Sequence, residues 1–250
     1  MDMIAGLSPL ELIVSIVVIF LAGIVRGYSG FGFSALVVMS LVLILPPAEV
    51  VPIAFILEIG ASLAMLPYVW RKVKWNVAGW LFAGAAIGSP VGVHFLATID
   101  PDFMKLMISG IVLMACFLLI RGYRFKAPAG RLGNGATGLF SGLVNGVGAV
   151  GGLPVVLLMM AGAAEAVAMR ATIVGYLFLS DTYALAISGA QDLVNMVLLQ
   201  RAGLFALPLA LGIYIGSHMF FRTNPEVFRR IILGILIVLA CSGIGQVMFL

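Results

Sequence analysis

Ten apolar runs follow one another between Pro9 and Phe249, most of them long enough to cross a lipid bilayer, with the charges gathered between them. A hydrocarbon layer about 30 Å thick takes about 20 apolar residues in a helix. The runs at about 9–25, 48–70, 77–97, 103–120, 164–188, 202–221 and 228–249 approach or meet that length. The run at about 133–148 is shorter, and those at 31–45 and 153–161 fall well below it. With 63% hydrophobic and 10% charged residues, against about 25% charged in soluble domains, no water-soluble fold of 250 residues can hide this surface. Inside lipid every backbone polar group must be satisfied within the protein, and for runs of this length the helix does so. The chain therefore reads as an all-α polytopic membrane protein whose main partner is the lipid bilayer. Its net charge of +4 sits largely in short loops between the apolar runs, the pattern of membrane loops and not of nucleic-acid binding. Asp2 and Glu11 stand where a signal peptide wants basic residues. Cys116 and Cys241 lie inside apolar runs and His94 and His218 are isolated, so no disulfide framework, metal site or cofactor is expected.

The second constraint is a repeat. The stretch 22–38, AGIVRGYSGFGFSALVV, carries Gly23, Gly27, Gly30 and Gly32, and a second glycine cluster spans Gly142 to Pro154 about 119 residues later. Gly23, Gly27 and Gly32 align with Gly142, Gly146 and Gly151. Ala48-Glu49 aligns with Ala164-Glu165, the Asp100-Pro101-Asp102 turn with Asn224-Pro225-Glu226, and Ala115-Cys116 with Ala240-Cys241. Two homologous halves of about five segments each result, 1–128 and 129–250, with short or broken helices at segments 2 and 7. If those short segments count as crossings, the loops at 71–74, 121–131 and 222–230 share one side and collect ten lysines and arginines. The other side then holds only Lys105 and Arg201. Positive charge gathers on the cytoplasmic side, so inverted halves with both termini outside are expected. Trp70, Trp75 and Trp80 lie near the basic 71–74 loop as interfacial anchors. Inverted repeats with glycine-interrupted helices at matching positions mark a secondary transporter. An intramembrane enzyme finds no support: no paired aspartates at membrane depth and no HExxH or GxSxG motif are present.

The run Arg26-Gly27-Tyr28-Ser29-Gly30-Phe31-Gly32-Phe33, with its glycine-rich echo at 142–154, resembles the motif of the TauE/SafE sulfite-exporter family, a duplicated membrane bundle. The resemblance covers nearly the whole chain. The second half departs from the family's usual G-x-G-G-G pattern, because Ala149 and Val150 separate Gly148 from Gly151-Gly152. What the resemblance implies is export of a small sulfur-containing anion, such as sulfite or an organosulfonate, across the bacterial inner membrane. A bundle of this kind can also pair with a second copy of itself as a homodimer.

Several residues suit such an anion. Helix N-termini offer unpaired N–H groups and a positive dipole end, which makes the starts of segments 2 and 7, after Gly30 to Gly32 and after Gly148, Gly151 and Gly152, candidate cradles. Ser29, Ser34 and Asn145 can add side-chain donors. The competing use for the glycines is close helix packing. Arg26, aligned with Asn145, can either pair with the anion through two parallel hydrogen bonds or lie at the end of segment 1 and snorkel to the interface. Arg170 lies about 7–8 Å past Glu165 along its helix, deep enough to count as an intramembrane site residue, unless Glu58 or a backbone carbonyl holds it. Glu58 lies about 13 Å past Glu49, and is read as either a carrier of a coupling proton or a static partner for an arginine. Glu49 and Glu165 complement the dipoles of segments 3 and 8. Asp181, about 24 Å past Glu165, is expected at the opposite interface, solvated.

Overall fold

In the computed structural model, which describes residues 5–122, 130–161, 166–219 and 225–249, the chain is helical almost throughout. Each apolar run becomes one helix: α1 (Pro9–Ser29), α2 (Phe33–Leu41), α3 (Pro47–Val69), α4 (Trp75–Thr98), α5 (Pro101–Ile120), α6 (Arg131–Gly148), α7 (Gly152–Ala161), α8 (Ala166–Ala190), α9 (Met196–Met219) and α10 (Pro225–Phe249). Seven of them, all but α2, α6 and α7, are long and apolar enough to cross a membrane. The chain is a multi-pass membrane protein. Arg124, Lys126, Glu165, Arg222 and Asn224 lie outside the described residues.

The helix starts follow local rules. Ser8 caps α1, accepting from the Glu11 N–H while Glu11 accepts from the Ser8 N–H, and Pro9 occupies the first turn, where its missing N–H costs nothing. Asp100 caps α5 by accepting from the Asp102 and Phe103 N–H groups ahead of a similar proline start. The proposed loop Trp70–Lys72 is a short 3-10 turn, and Trp70 stacks on Trp75 with ring centres 4.4 Å apart. Trp80 takes the Arg131 guanidinium over its ring at 5.8 Å. The three tryptophans thus gather with Arg71, Lys72, Lys74 and Arg131 at one end of the bundle.

Glycines set the tightest packing. Helix α1 lies against α9, and a Cβ on Gly27 would fall 2.3 Å from the Ile213 carbonyl oxygen. Helix α4 lies against α6 in the same way, with Gly84, Gly88 and Gly92 facing Gly135, Leu139 and Leu143 in turn. Without a hydrophobic drive between helices in lipid, such backbone approach supplies the van der Waals contact that holds them together. For Gly23, Gly27, Gly142 and Gly146, the close-packing use is the one observed.

The same contacts fix direction. Residue numbers rise together along α1 and α9, and along α4 and α6, so each pair is parallel. Arg170, near the start of α8, donates to the carbonyl of Gly27 near the end of α1. The Lys74 N–H, just before α4, donates to Thr172 Oγ1 at 3.1 Å. So α1 runs toward the end of the bundle where α4, α6 and α8 begin, and α1 and α6 run in opposite senses. At the other end Arg201 of α9 donates to the Ala5 carbonyl at 2.9 Å and pairs with Glu49 at the start of α3. Arg201 lies inside α9, whereas the sequence reads it as part of the polar stretch that leads to the apolar run at about 202.

Between α1 and α3 the chain must return to the end where it began, and α2 does so with only 9 residues, about 14 Å of helix. Helix α7, with 10 residues, makes the matching return in the second half. Neither can cross alone. Eight α2 residues, from Phe33 to Leu41, are buried, as an incomplete helix requires if its ends are to avoid lipid.

Candidate anion site at the junction of two helix breaks

Each half interrupts its first helix in the same manner. Helix α1 ends at Ser29, Gly30 adopts a left-handed φ of 79°, and Gly32, at φ 86°, starts α2. Glycine is the residue that takes both without strain. Helix α6 ends at Gly148, and here the left-handed position is held by Ala149 at φ 53°. The two breaks meet: a Cβ on Gly152 would fall 3.9 Å from that of Phe31. Gly32, Ser34, Glu58, Ala149, Val150 and Gly152 border the cleft between them, a cavity of about 10 Å3, room for about one water. The first-turn N–H groups of α2 and α7 have no partner inside their helices, and both short helices begin at this cleft.

Arg26 does not snorkel. It is wholly buried and its Nε lies 2.9 Å from Glu58 Oε2. Its Nη1 donates to the Gly30 carbonyl and its Nη2 to Ser62 Oγ at 2.7 Å. Glu58 also accepts from Ser34 Oγ at 2.6 Å. Glu58 therefore fits the static-partner reading: arginine, glutamate and two serines tie the first break to the middle of α3. Ser29 turns inward on its own backbone, bridging Val25 and Phe31, and caps the break instead of facing the cleft.

Arg170 approaches the first break from the second half. Besides holding the Gly27 carbonyl, it passes its side-chain stem over Gly30, where a Cβ would meet its Cγ at 2.5 Å. Its charge and that of Arg26 are close enough to repel. Two guanidiniums thus brace the first break, and two helix N-termini meet at the cleft beside it, with Glu58 as the countercharge of Arg26.

The second break has its own lock. Asn145 Oδ1 accepts from the Gly151 N–H at 3.1 Å, and its Nδ2 donates to Asp181 Oδ1 at 2.7 Å. Tyr176 hydroxyl sits 2.6 Å from Ser141 Oγ, which donates to the Gly151 carbonyl at 2.5 Å. Asp181 is 1% exposed. The expectation of a solvated residue at the opposite interface is thus wrong, because the side chain points inward at Asn145 and α8 continues nine residues beyond it to Ala190. Gly148 is also displaced from its expected role: it is helical and faces Ile108 of α5. Gly151 and Gly152 remain at the break. Five residues of these clusters, Ser62, Ser141, Tyr176, Ser180 and Asp181, were not among the candidates. A signal for two of them is present in the sequence, since Thr172, Tyr176, Ser180 and Ser188 recur at multiples of four along α8, one face of a helix.

A bundle of opposed helices with two interrupted members meeting beside buried Arg26 and half-buried Arg170 is the architecture of a membrane transporter. Residues 15–243 match the sulfite exporter TauE/SafE family, and the chain belongs to that family. It is also similar to the probable inner membrane transporter protein TsaS of Comamonas testosteroni, with 22% identity over 196 residues, 77% of this chain and 80% of that one. No solved structure matches the chain.

Proposed function

We propose that this protein is a secondary transporter that exports a small sulfur-containing anion, sulfite or an organosulfonate such as sulfoacetate, across the bacterial inner membrane by alternating access. The observation that carries the reading is the meeting of two helix breaks, one from each half, at a cleft flanked by Arg26 and Arg170. Substrate oxygens would be taken by the first-turn N–H groups of α2 and α7 and by Arg170, with Gly30, Gly32, Gly151 and Gly152 letting the backbone approach. Arg26 would keep the site positive while Glu58 and Ser34 hold it in place. The opposed senses of α1 and α6 support reading 1–128 and 129–250 as inverted repeats. Such units can exchange conformations and open one central site to either side in turn. The end of the bundle carrying Arg71, Lys72, Lys74 and Arg131 is then cytoplasmic. A cavity of about 10 Å3 holds about one water, so opening must widen it to admit the anion.

A panel of sulfite, sulfoacetate, taurine and carboxylate analogues in a thermal-shift assay on the purified protein tests the substrate class. Anion binding to the native state raises the melting temperature by mass action, and stabilisation by sulfite or sulfonates over carboxylates is the expected result. Stabilisation by carboxylates alone would reassign the substrate.

A further inference from the structure

The two locks differ in charge. In the first, Glu58 faces Arg26 at 2.9 Å, so its charge is compensated on the spot. In the second, Asp181 is equally buried but its hydrogen-bond partner Asn145 is neutral, and its Oδ2 has no hydrogen-bond partner. The charges whose fields reach Asp181 are Glu58 of α3 and Arg26 of α1. The phenol of Tyr176 and the hydroxyl of Ser180 lie beside it on α8, and α6 presents Asn145. Helix α7 contains no charged residue, α4 carries only the exposed His94, and Arg71 and Lys72 of the 3-10 turn are exposed.

Arg26 and Glu58 offset each other at 2.9 Å, leaving Asp181 to set the sum of the charges that act on it. With Asp181 ionised the cluster carries one negative charge, which opposes an incoming anion. With Asp181 protonated that charge is gone. Charge closed off from water is costly, so an anion closed into the junction favours Asp181 protonated.

We infer that Asp181 is a proton-binding site linked to the anion site, so that substrate and one proton occupy the closed transporter together. This rests on the junction being the anion site. The proton arrives from water on the loading side, binds Asp181 Oδ2, and leaves to water with the anion on the other side. Linkage is reciprocal: the proton raises anion affinity and the anion raises proton affinity by the same factor. Asn145 connects Asp181 to the Gly151 N–H, so the proton also alters the hydrogen bond that shapes the second break.

Two measurements test this. Calorimetric titration with methanesulfonate, an anion without a titrating group near neutral pH, in buffers of different ionisation enthalpy counts protons taken up per anion bound. The wild type is expected to take up a proton, and Asp181→Asn to bind with none. Equal uptake in Asp181→Asn, or anion binding by the wild type with no uptake, overturns the inference. Infrared pH titration of the substrate-free protein gives a readout that needs no anion. A titrating protonated-carboxyl band should be present in the wild type and lost in Asp181→Asn. Its persistence in Asp181→Asn, or its absence from the wild type, overturns the proton site. A missing calorimetric signal beside an intact band would instead refute the anion reading.

Discussion

Replacing Glu58 by methionine strands a guanidinium in the middle of the bundle. At 2.9 Å two unit charges attract by about 6 kcal/mol at an effective dielectric constant near 20, and much of that offsets the cost of taking both out of water. Removing one partner leaves the other's cost uncompensated, which in buried pairs amounts to about 3–5 kcal/mol. Arg26 retains Ser62 and the Gly30 carbonyl, so Glu58→Met belongs at the lower end of that range. Arg26→Met leaves Glu58 with only Ser34 and belongs at the upper end. The double variant removes both charges and should recover most of the loss, because apolar replacements of similar volume are about neutral. Reversible unfolding of the four proteins in mixed detergent micelles gives the cycle. A coupling energy of several kcal/mol is expected. Single effects that add to within about 0.5 kcal/mol would show that the pair does not act as a buried ion pair, and the account of the first break would fall with it.

Gly27→Ala should push α1 off α9, because the added carbon lands 2.3 Å from a backbone oxygen. A loss of about 1–3 kcal/mol is expected, against no loss for Gly110→Ala, where nothing lies within 4 Å; thermal melts of the two variants check this. Asn145→Leu leaves the Gly151 N–H and Asp181 Oδ1 without their partners, at about 1–3 kcal/mol for each buried group. A melt unchanged from the wild type would mean that Asn145 does not lock the second break.

Much of this architecture is legible in the sequence, because it follows from solvent. Apolar runs at bilayer length become helices, and glycine clusters recurring about 119 residues apart marked both breaks. What could not be read was which glycine served which purpose. Gly27 and Gly30 stand three residues apart, yet one faces α9 and the other turns the chain, a distinction made by a neighbouring helix distant in sequence. Arg26 was ambiguous for a similar reason: axial position along α1 puts it near an end, while its burial depends on α3 supplying Glu58. Asp181 was misplaced because distance along a helix gives depth but not direction. The polar face at four-residue spacing on α8 was the better guide, and it points to Asn145.

The central claim is that the junction of the two breaks carries the anion, and Arg170 tests it with less structural confusion than Arg26. It is half-buried, reaches the first break from the second half, and is not part of the ion pair that locks α1 to α3. Purified wild type and Arg170→Ala, reconstituted in liposomes loaded with radiolabelled sulfite or sulfoacetate, give the direct measurement: efflux with and without an imposed proton gradient. The wild type should release the anion at a rate that responds to the gradient, and Arg170→Ala should lose that release while keeping its fold by circular dichroism. Undiminished efflux through folded Arg170→Ala would place the anion path elsewhere.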